Sequence, residues 1–262
     1  MSYLQLSLYS ETLRLETTVQ VILAADPAAS PCLLLLHGAS DDDTMWLRRT
    51  SVERYADRYG ISVVMPNGYR SCYTDMRRGP AVETYLIHEL PDFLRRHLGL
   101  PTSRELNFIA GLSMGGYGAL RLGLRHPERF NAIGCFSSGN LLFDPMFRPG
   151  TSDPYGWVSL VLGEDVDNPS SKRDPDFDLF EILAAIPADA PFPRVYMACG
   201  RDDYLLNCSR ITAERLAAHP TLPFYYEESH GAHDWNFWDR YIKHFLDWYT
   251  DTEKTLTETT TD

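Results

Sequence analysis

Three observations place this chain in the α/β class, with a mostly parallel central sheet of about eight strands flanked by helices. Strand-like and helix-like stretches alternate along it, the inner strand-like stretches are short and almost continuously apolar, and turn residues bound them. Continuous apolar runs mean strands buried on both faces, which a parallel sheet covered by helices produces and a half-exposed antiparallel sheet does not. The 262 residues suffice for one large domain, and no internal repeat divides them. The sequence predicts a single domain over 1–249, followed by a disordered polar tail over 250–262 that is too poor in apolar side chains to pack.

In chain order, residues 4–9 and 17–23 alternate apolar with polar and predict an opening antiparallel pair. The buried-strand runs follow at 32–36, 62–65, 106–110, 132–136 and 194–198, with a last strand at 224–227. Between them, 81–98 places Val82, Tyr85, Leu86, Leu90, Phe93 and Leu94 at spacings of three and four. That is one apolar face of a helix, with a kink expected at Pro91. Residues 44–59 and 234–248 behave similarly. The rhythm breaks over 141–187, where Asp144-Pro145, Arg148-Pro149-Gly150, Asp153-Pro154, Asn168-Pro169 and Asp174-Pro175 mark turns around two short helices. An insertion of that length predicts a lid-like segment over a site.

Composition narrows the partners. Twenty-four Lys and Arg against 36 Asp and Glu leave a net charge of −12, which disfavours nucleic-acid and anionic-membrane partners and implies a mild bias against anionic substrates. Five cysteines, odd in number and without CxxC spacing, suggest neither a disulfide framework nor a zinc knuckle, and fit free thiols in a reducing compartment. The first basic residue is Arg14, unlike a secretory signal, and no apolar run approaches the roughly 20 residues of a membrane span. The expectation is a soluble cytoplasmic protein whose partner is a small molecule; homo-oligomerisation is left open.

The sharpest local signal is Gly111-Leu112-Ser113-Met114-Gly115, a GxSxG pentapeptide. Its setting matters more than the pattern. An apolar strand ends at the first glycine and a helix-compatible run, 116–124, follows the last. A strand turning abruptly into a helix strains the backbone at the serine and leaves no room for side chains at the flanking glycines. Ser113 then stands above the sheet at a helix N-terminus, where free amides favour a developing anion.

A serine hydroxyl needs a base, and the base needs a carboxylate to hold its tautomer. Of eight histidines, His97, His126 and His219 have polar neighbours at helices or their ends, His88 and His244 lie within helices, and His37 fits loop support. His230 and His233 remain, in the loop between the last strand and the last helix. His233 is preferred because Gly231 and Ala232 leave room around it and the aromatic stretch Trp235-Asn236-Phe237-Trp238 follows. A metal pair of His230 and His233 lacks the third ligand of a zincin. The carboxylate is expected after the strand at 194–198, where Asp202 and Asp203 compete and position relative to Gly200 favours Asp203. The chain order Ser113, Asp203, His233 is that of α/β-hydrolases. Two amides must meet the oxyanion: Met114 N–H, after the nucleophile, and Ala39 N–H, with Gly38 the alternative.

These residues carry a resemblance. Leu35-Leu36-His37-Gly38 with Asp41-Asp42 and Trp46, Met65-Pro66-Asn67-Gly68, Tyr73-Thr74-Asp75-Met76, Glu83-Thr84-Tyr85-Leu86, Gly111 through Gly118, Cys199-Gly200 with Asp203, and Gly231-Ala232-His233-Asp234-Trp235 together resemble the esterase D and tributyrin esterase family. The likeness spans nearly the whole chain and is weakest over 141–187. It implies an α/β-hydrolase fold, cleavage of short-chain acyl esters including acetylated sugars, no metal or organic cofactor, and the same three catalytic residues. S-formylglutathione hydrolases usually carry different loops where this chain has His37-Gly38-Ala39-Ser40 and Ala232-His233-Asp234-Trp235. Feruloyl and acetylxylan esterases share the His-Asp-Trp element but are commonly exported. An acyltransferase with the same triad is the remaining alternative. Substrate contacts are expected from Gly38, Trp46, Trp157 and Trp235, with Phe143, Met146, Phe147 and Tyr155 as further candidates in the insertion.

Overall fold

The alternating sequences at the N-terminus form β1 (Ser2–Ser10) and β2 (Leu15–Leu23), an antiparallel pair in which Leu6 faces Val19. The chain then enters β3 (Cys32–Leu36), whose residues point alternately to the two faces of the sheet: Cys32 and Leu36 join one apolar cluster, Leu33 and Leu35 the other. The computed structural model describes residues 1–141, 153, 155–163, 175–187 and 190–259, the side chains of 158 and 252–259 excepted.

The predicted helix over 44–59 is two helices, α1 (Met45–Arg49) and α2 (Val52–Tyr59). Thr50 between them is extended, and Ser51 N–H donates to the Asp239 carboxylate at 2.7 Å, a distant acceptor that periodicity does not reveal. After β4 (Ser62–Pro66), the stretch expected to kink at Pro91 runs as α3 (Val82–Thr84), a π-helical turn over Tyr85–Glu89, and α4 (Leu90–Leu98). Proline has no N–H and its ring crowds the carbonyl four residues back, so a widened turn just ahead of Pro91 lets the helical path continue.

β5 (Asn107–Leu112) leads into α5 (Met114–Arg125), then β6 (Ala132–Phe136), α6 (Leu179–Ala185), β7 (Arg194–Gly200), α7 (Leu206–Ala217), β8 (Phe224–Ser229) and α8 (Trp235–Thr259). The eight strands form one sheet in the order β1-β2-β4-β3-β5-β6-β7-β8, parallel from β4 onward. α8 runs past residue 249, so 250–259 are helical where the sequence predicts a disordered tail. About half of the insertion lies outside the described residues; of its described part, Phe177 O accepts from Tyr117 Oη at 2.8 Å, and Asp176 O accepts from Arg121 Nε at 2.9 Å, both on α5.

One apolar cluster packs α4 and α5, through Leu90, Leu94, Leu120 and Leu122, on one face of the sheet. The other packs Trp46, Val52, Phe237, Tyr241 and Phe245 of α1, α2 and α8 on the opposite face. With both faces covered, the carboxyl ends of β3, β5, β6 and β7 and the loops after them are left to build a site. All five cysteines are buried thiols. No helix among the described residues is long and apolar enough to cross a membrane.

Candidate active site

Ser113 occupies the turn between β5 and α5 with φ 51° and ψ −121°, a left-handed backbone that a non-glycine residue adopts only when its surroundings enforce it. They do so here. Ser113 N–H donates to Phe136 O at 2.9 Å, and its carbonyl accepts from Gly116 and Tyr117 N–H. The two flanking glycines are obligatory: a Cβ at Gly111 would lie 2.3 Å from Gly115 O, and one at Gly115 would lie 2.5 Å from Leu36 O.

Above this turn three side chains line up. His233 Nε2 is 3.0 Å from Ser113 Oγ, and His233 Nδ1 is 3.0 Å from each oxygen of Asp203. The Asp203 side chain is fully buried and that of His233 is 17 % exposed. Burial would push the Asp203 carboxyl up, but the hydrogen bond and charge of His233, the Leu205 N–H and the Ser137 hydroxyl outweigh it and hold the group below its ordinary value. An ionised Asp203 fixes the proton of His233 on Nδ1 and leaves Nε2 to accept from the serine. Asp202 is exposed, as is His230. Among the described residues no group of His, Cys, Asp and Glu could hold a metal ion.

Behind Asp203 a further layer holds it. Trp238 Nε1 donates to Ser137 Oγ at 3.0 Å, and the Ser137 hydroxyl is hydrogen-bonded to Asp203. The Trp238 ring meets the His233 ring edge-on at 5.0 Å. Ser137 follows β6 directly with φ 52°. Its place at the carboxyl end of a central strand is the sequence signal that would have found it.

The triad opens into a cavity of about 370 Å³. Ala39 and Met114 both line it. Met114 is the first residue of α5, so its N–H has no acceptor within the helix. Gly38 also lines the cavity, and its N–H donates to Asp41 Oδ2 at 3.1 Å. His37 is buried beneath this loop, with Nδ1 2.7 Å from Gly38 O and Nε2 accepting from Gly68 N–H at 2.9 Å. Burial holds its pKa down, and with both nitrogens on backbone partners it braces the loop as a neutral ring.

Trp157 and Trp235 line the cavity, and so does Tyr155. Phe143, Met146 and Phe147 lie outside the described residues. Trp46 must be corrected. It is buried beneath Trp235, ring edge to ring face at 5.3 Å, with Nε1 donating to Leu36 O at 3.0 Å, so it supports the wall and does not form it. Sequence reading missed Asp41 and Tyr204 as lining residues. The Tyr204 hydroxyl is 3.4 Å from His233 Nε2, and its position next to Asp203 was the available clue.

Comparisons with known proteins identify the family. The Esterase family model (Putative esterase) matches residues 10–247. The acetyl esterase of Caldicellulosiruptor saccharolyticus is 31% identical over 95% of this chain and 98% of its own length. The crystal structure of S-formylglutathione hydrolase FrmB from Staphylococcus aureus is 29% identical with a TM-score of 0.80, covering 94% of this chain and 98% of that one. The diacylglycerol acyltransferase/mycolyltransferase Ag85A of Mycobacterium leprae is 32% identical over 66% of this chain and 55% of its own. The chain belongs to the Putative esterase family, has the α/β-hydrolase fold, and is a serine ester hydrolase.

Proposed function

We propose that this chain is a carboxylesterase that hydrolyses short-chain acyl esters, including acetylated alcohols or sugars, through an acyl-enzyme on Ser113. The observation that carries the reading is the unbroken run from Ser113 Oγ through His233 to Asp203, each contact 3.0 Å, at the floor of a cavity near the small end of ligand-site volumes. The acetyl esterase relative supports the substrate class.

In the first half-reaction His233 Nε2 takes the hydroxyl proton as Ser113 Oγ attacks the ester carbonyl. The carbonyl oxygen, now anionic, accepts from the amides of Ala39 and Met114, two residues that line the cavity. The C–O bond to the alcohol breaks, and His233 returns the proton to the departing oxygen. Water then repeats the sequence: His233 takes its proton, the hydroxide adds to the acyl carbon, and Ser113 leaves reprotonated, releasing the acid. Asp203 stays ionised throughout and offsets the imidazolium charge.

The Ag85A relatives favour a second reading, in which an alcohol takes the place of water in deacylation. Hydrolysis of 4-nitrophenyl esters from acetate to decanoate, of acetylated sugars and of S-formylglutathione, each with Ser113→Ala in parallel, tests the proposal. We expect activity to peak at two to four acyl carbons and to vanish with the serine; turnover by Ser113→Ala within tenfold of the parent sinks the mechanism. Adding glycerol or glucose and analysing products separates the readings, because transfer gives a new ester and hydrolysis gives only acid.

A further inference from the structure

The described lining of the cavity contains two carboxylates, Asp41 and Asp234, beside Ser113, His233 and a wall of Tyr155, Trp157, Tyr204, Trp235 and Trp238, and no lysine or arginine. Arg70, which lies over the Tyr155 ring, is not among the lining residues. The two carboxylates differ in their attachments. Asp234 is exposed and caps α8, its Oδ1 accepting from Asn236 and Phe237 N–H at 3.0 Å each, so the helix N-terminus offsets part of its charge. Asp41 is half-buried and accepts Gly38 N–H through Oδ2 alone. It lies close enough to His233 for the two charges to be felt, and burial raises its pKa against the opposing pull of the Gly38 amide and His37. A carboxylate in this partly desolvated position acts through a lower dielectric than one in bulk water, so it discriminates between substrate charges at a range of several ångströms.

We infer that this cavity selects esters that carry no negative charge, and that Asp41 is the residue that enforces the selection. The inference rests on the esterase reading and deepens it. An anionic group brought into the cavity faces Asp41 and no lysine or arginine in the described lining, while a neutral hydroxyl can donate to Asp41 and a cation is attracted by it and by the aromatic wall. S-formylglutathione, with two carboxylates and one ammonium, is a poor fit on this ground.

The test uses acetates matched in leaving-group reactivity: the acetate ester of 3-hydroxyphenylacetate (anionic), of its amide (neutral) and of 3-hydroxybenzyl-trimethylammonium (cationic), each normalised to its hydroxide-catalysed rate. A half-ester pair, 4-nitrophenyl adipate against the adipamate, places the same charge on the acyl side. The expected kcat/KM for the neutral ester exceeds that for the anionic one by about tenfold or more on at least one side, chiefly through KM. Asp41→Asn, which can still accept from Gly38 N–H, narrows that gap at least threefold. Raising ionic strength from 0.05 to 0.5 M narrows it in the parent protein as well, by screening. A parent protein with no gap, or a gap that Asp41→Asn leaves unchanged, overturns the inference while leaving the esterase reading intact. If Asp41→Asn folds poorly, Asp41→Ser is measured in its place, with the same expected narrowing and the same overturning result. Failure to hydrolyse any member of the set removes the esterase reading, and the inference with it.

Discussion

Two histidine–carboxylate pairs sit at opposite ends of α5, and they differ in what the second histidine nitrogen faces: a serine hydroxyl in one, a second carboxylate in the other. His233 meets Asp203 through Nδ1 and presents Nε2 to Ser113 near the start of the helix. Near its end, His126 Nε2 meets Glu83 Oε1 at 2.9 Å, but Glu83 is also held by Arg121 at 2.5 Å and Arg125 at 2.9 Å, and the other nitrogen of His126 faces Glu128 at 3.7 Å. Burial pushes the Glu83 carboxyl up, yet His126 and the two guanidinium groups hold it down to about 2. The carboxylate charge there is already met by permanent cations, so the histidine is a spare partner in an ionic clamp. Among the described residues Asp203 has no permanent cation, only amide, hydroxyl and imidazole, so its charge is felt by the imidazole and rises in value when that ring becomes protonated. A histidine beside a carboxylate becomes a base when its second nitrogen is left to a nucleophile and no arginine competes for the acid.

The largest expected effects lie in the first pair. His233→Ala is expected to lower kcat on 4-nitrophenyl acetate by about 10⁵ to 10⁶, whereas His126→Ala should stay within about threefold of the parent in the same assay. Asp203→Asn removes the charge that holds the tautomer and should cost about 10⁴ in kcat. Asp202→Asn, exposed and outside the contact, should change kcat less than threefold; the reverse order would reassign the carboxylate.

Stability should divide the other way. Glu83→Gln strands the buried Arg121 guanidinium and is expected to cost about 3 kcal/mol, lowering Tm by about 6–12 °C in calorimetry, with kcat little changed. Because the folded-state pKa of Glu83 lies below its unfolded value, its contribution is fully present above about pH 4.5 and is lost as pH falls toward 2. Unfolding titrations over that window should therefore be shallower for Glu83→Gln than for the parent. A smaller loss than at the triad is expected behind it: Ser137→Ala leaves Trp238 Nε1 and one side of Asp203 without this partner and is expected to reduce kcat three- to tenfold with KM unchanged.

Sequence and structure part company along the same line. Ser113, Asp203 and His233 are legible because each lies just beyond a strand's carboxyl end, and an elbow that requires Gly111 and Gly115 is written locally. The strands were legible through their apolar runs for the same reason. What periodicity could not show depends on groups distant in the chain. The break between α1 and α2 needs Asp239, 188 positions from Ser51, to accept its amide. The nearness of Trp46 in sequence to His37-Gly38-Ala39 predicts a place at the site, but its ring lies beneath Trp235 in the apolar layer under α8. Glu83 appears in the sequence only as part of a family pattern, and its partners on α5 are 38 to 43 residues away. The extension of α8 past residue 249 runs through threonines that a propensity reading disfavours.

The central claim is that Ser113 is the nucleophile and His233, not His126, is its base. The most direct measurement is labelling with a fluorophosphonate ester, followed by peptide mass spectrometry and by labelling rates in the parent, His233→Ala and His126→Ala. One adduct per chain is expected, on Ser113, formed at least a thousandfold more slowly in His233→Ala and at the parent rate in His126→Ala. An adduct on another residue, or a rate that survives the loss of His233, would contradict it.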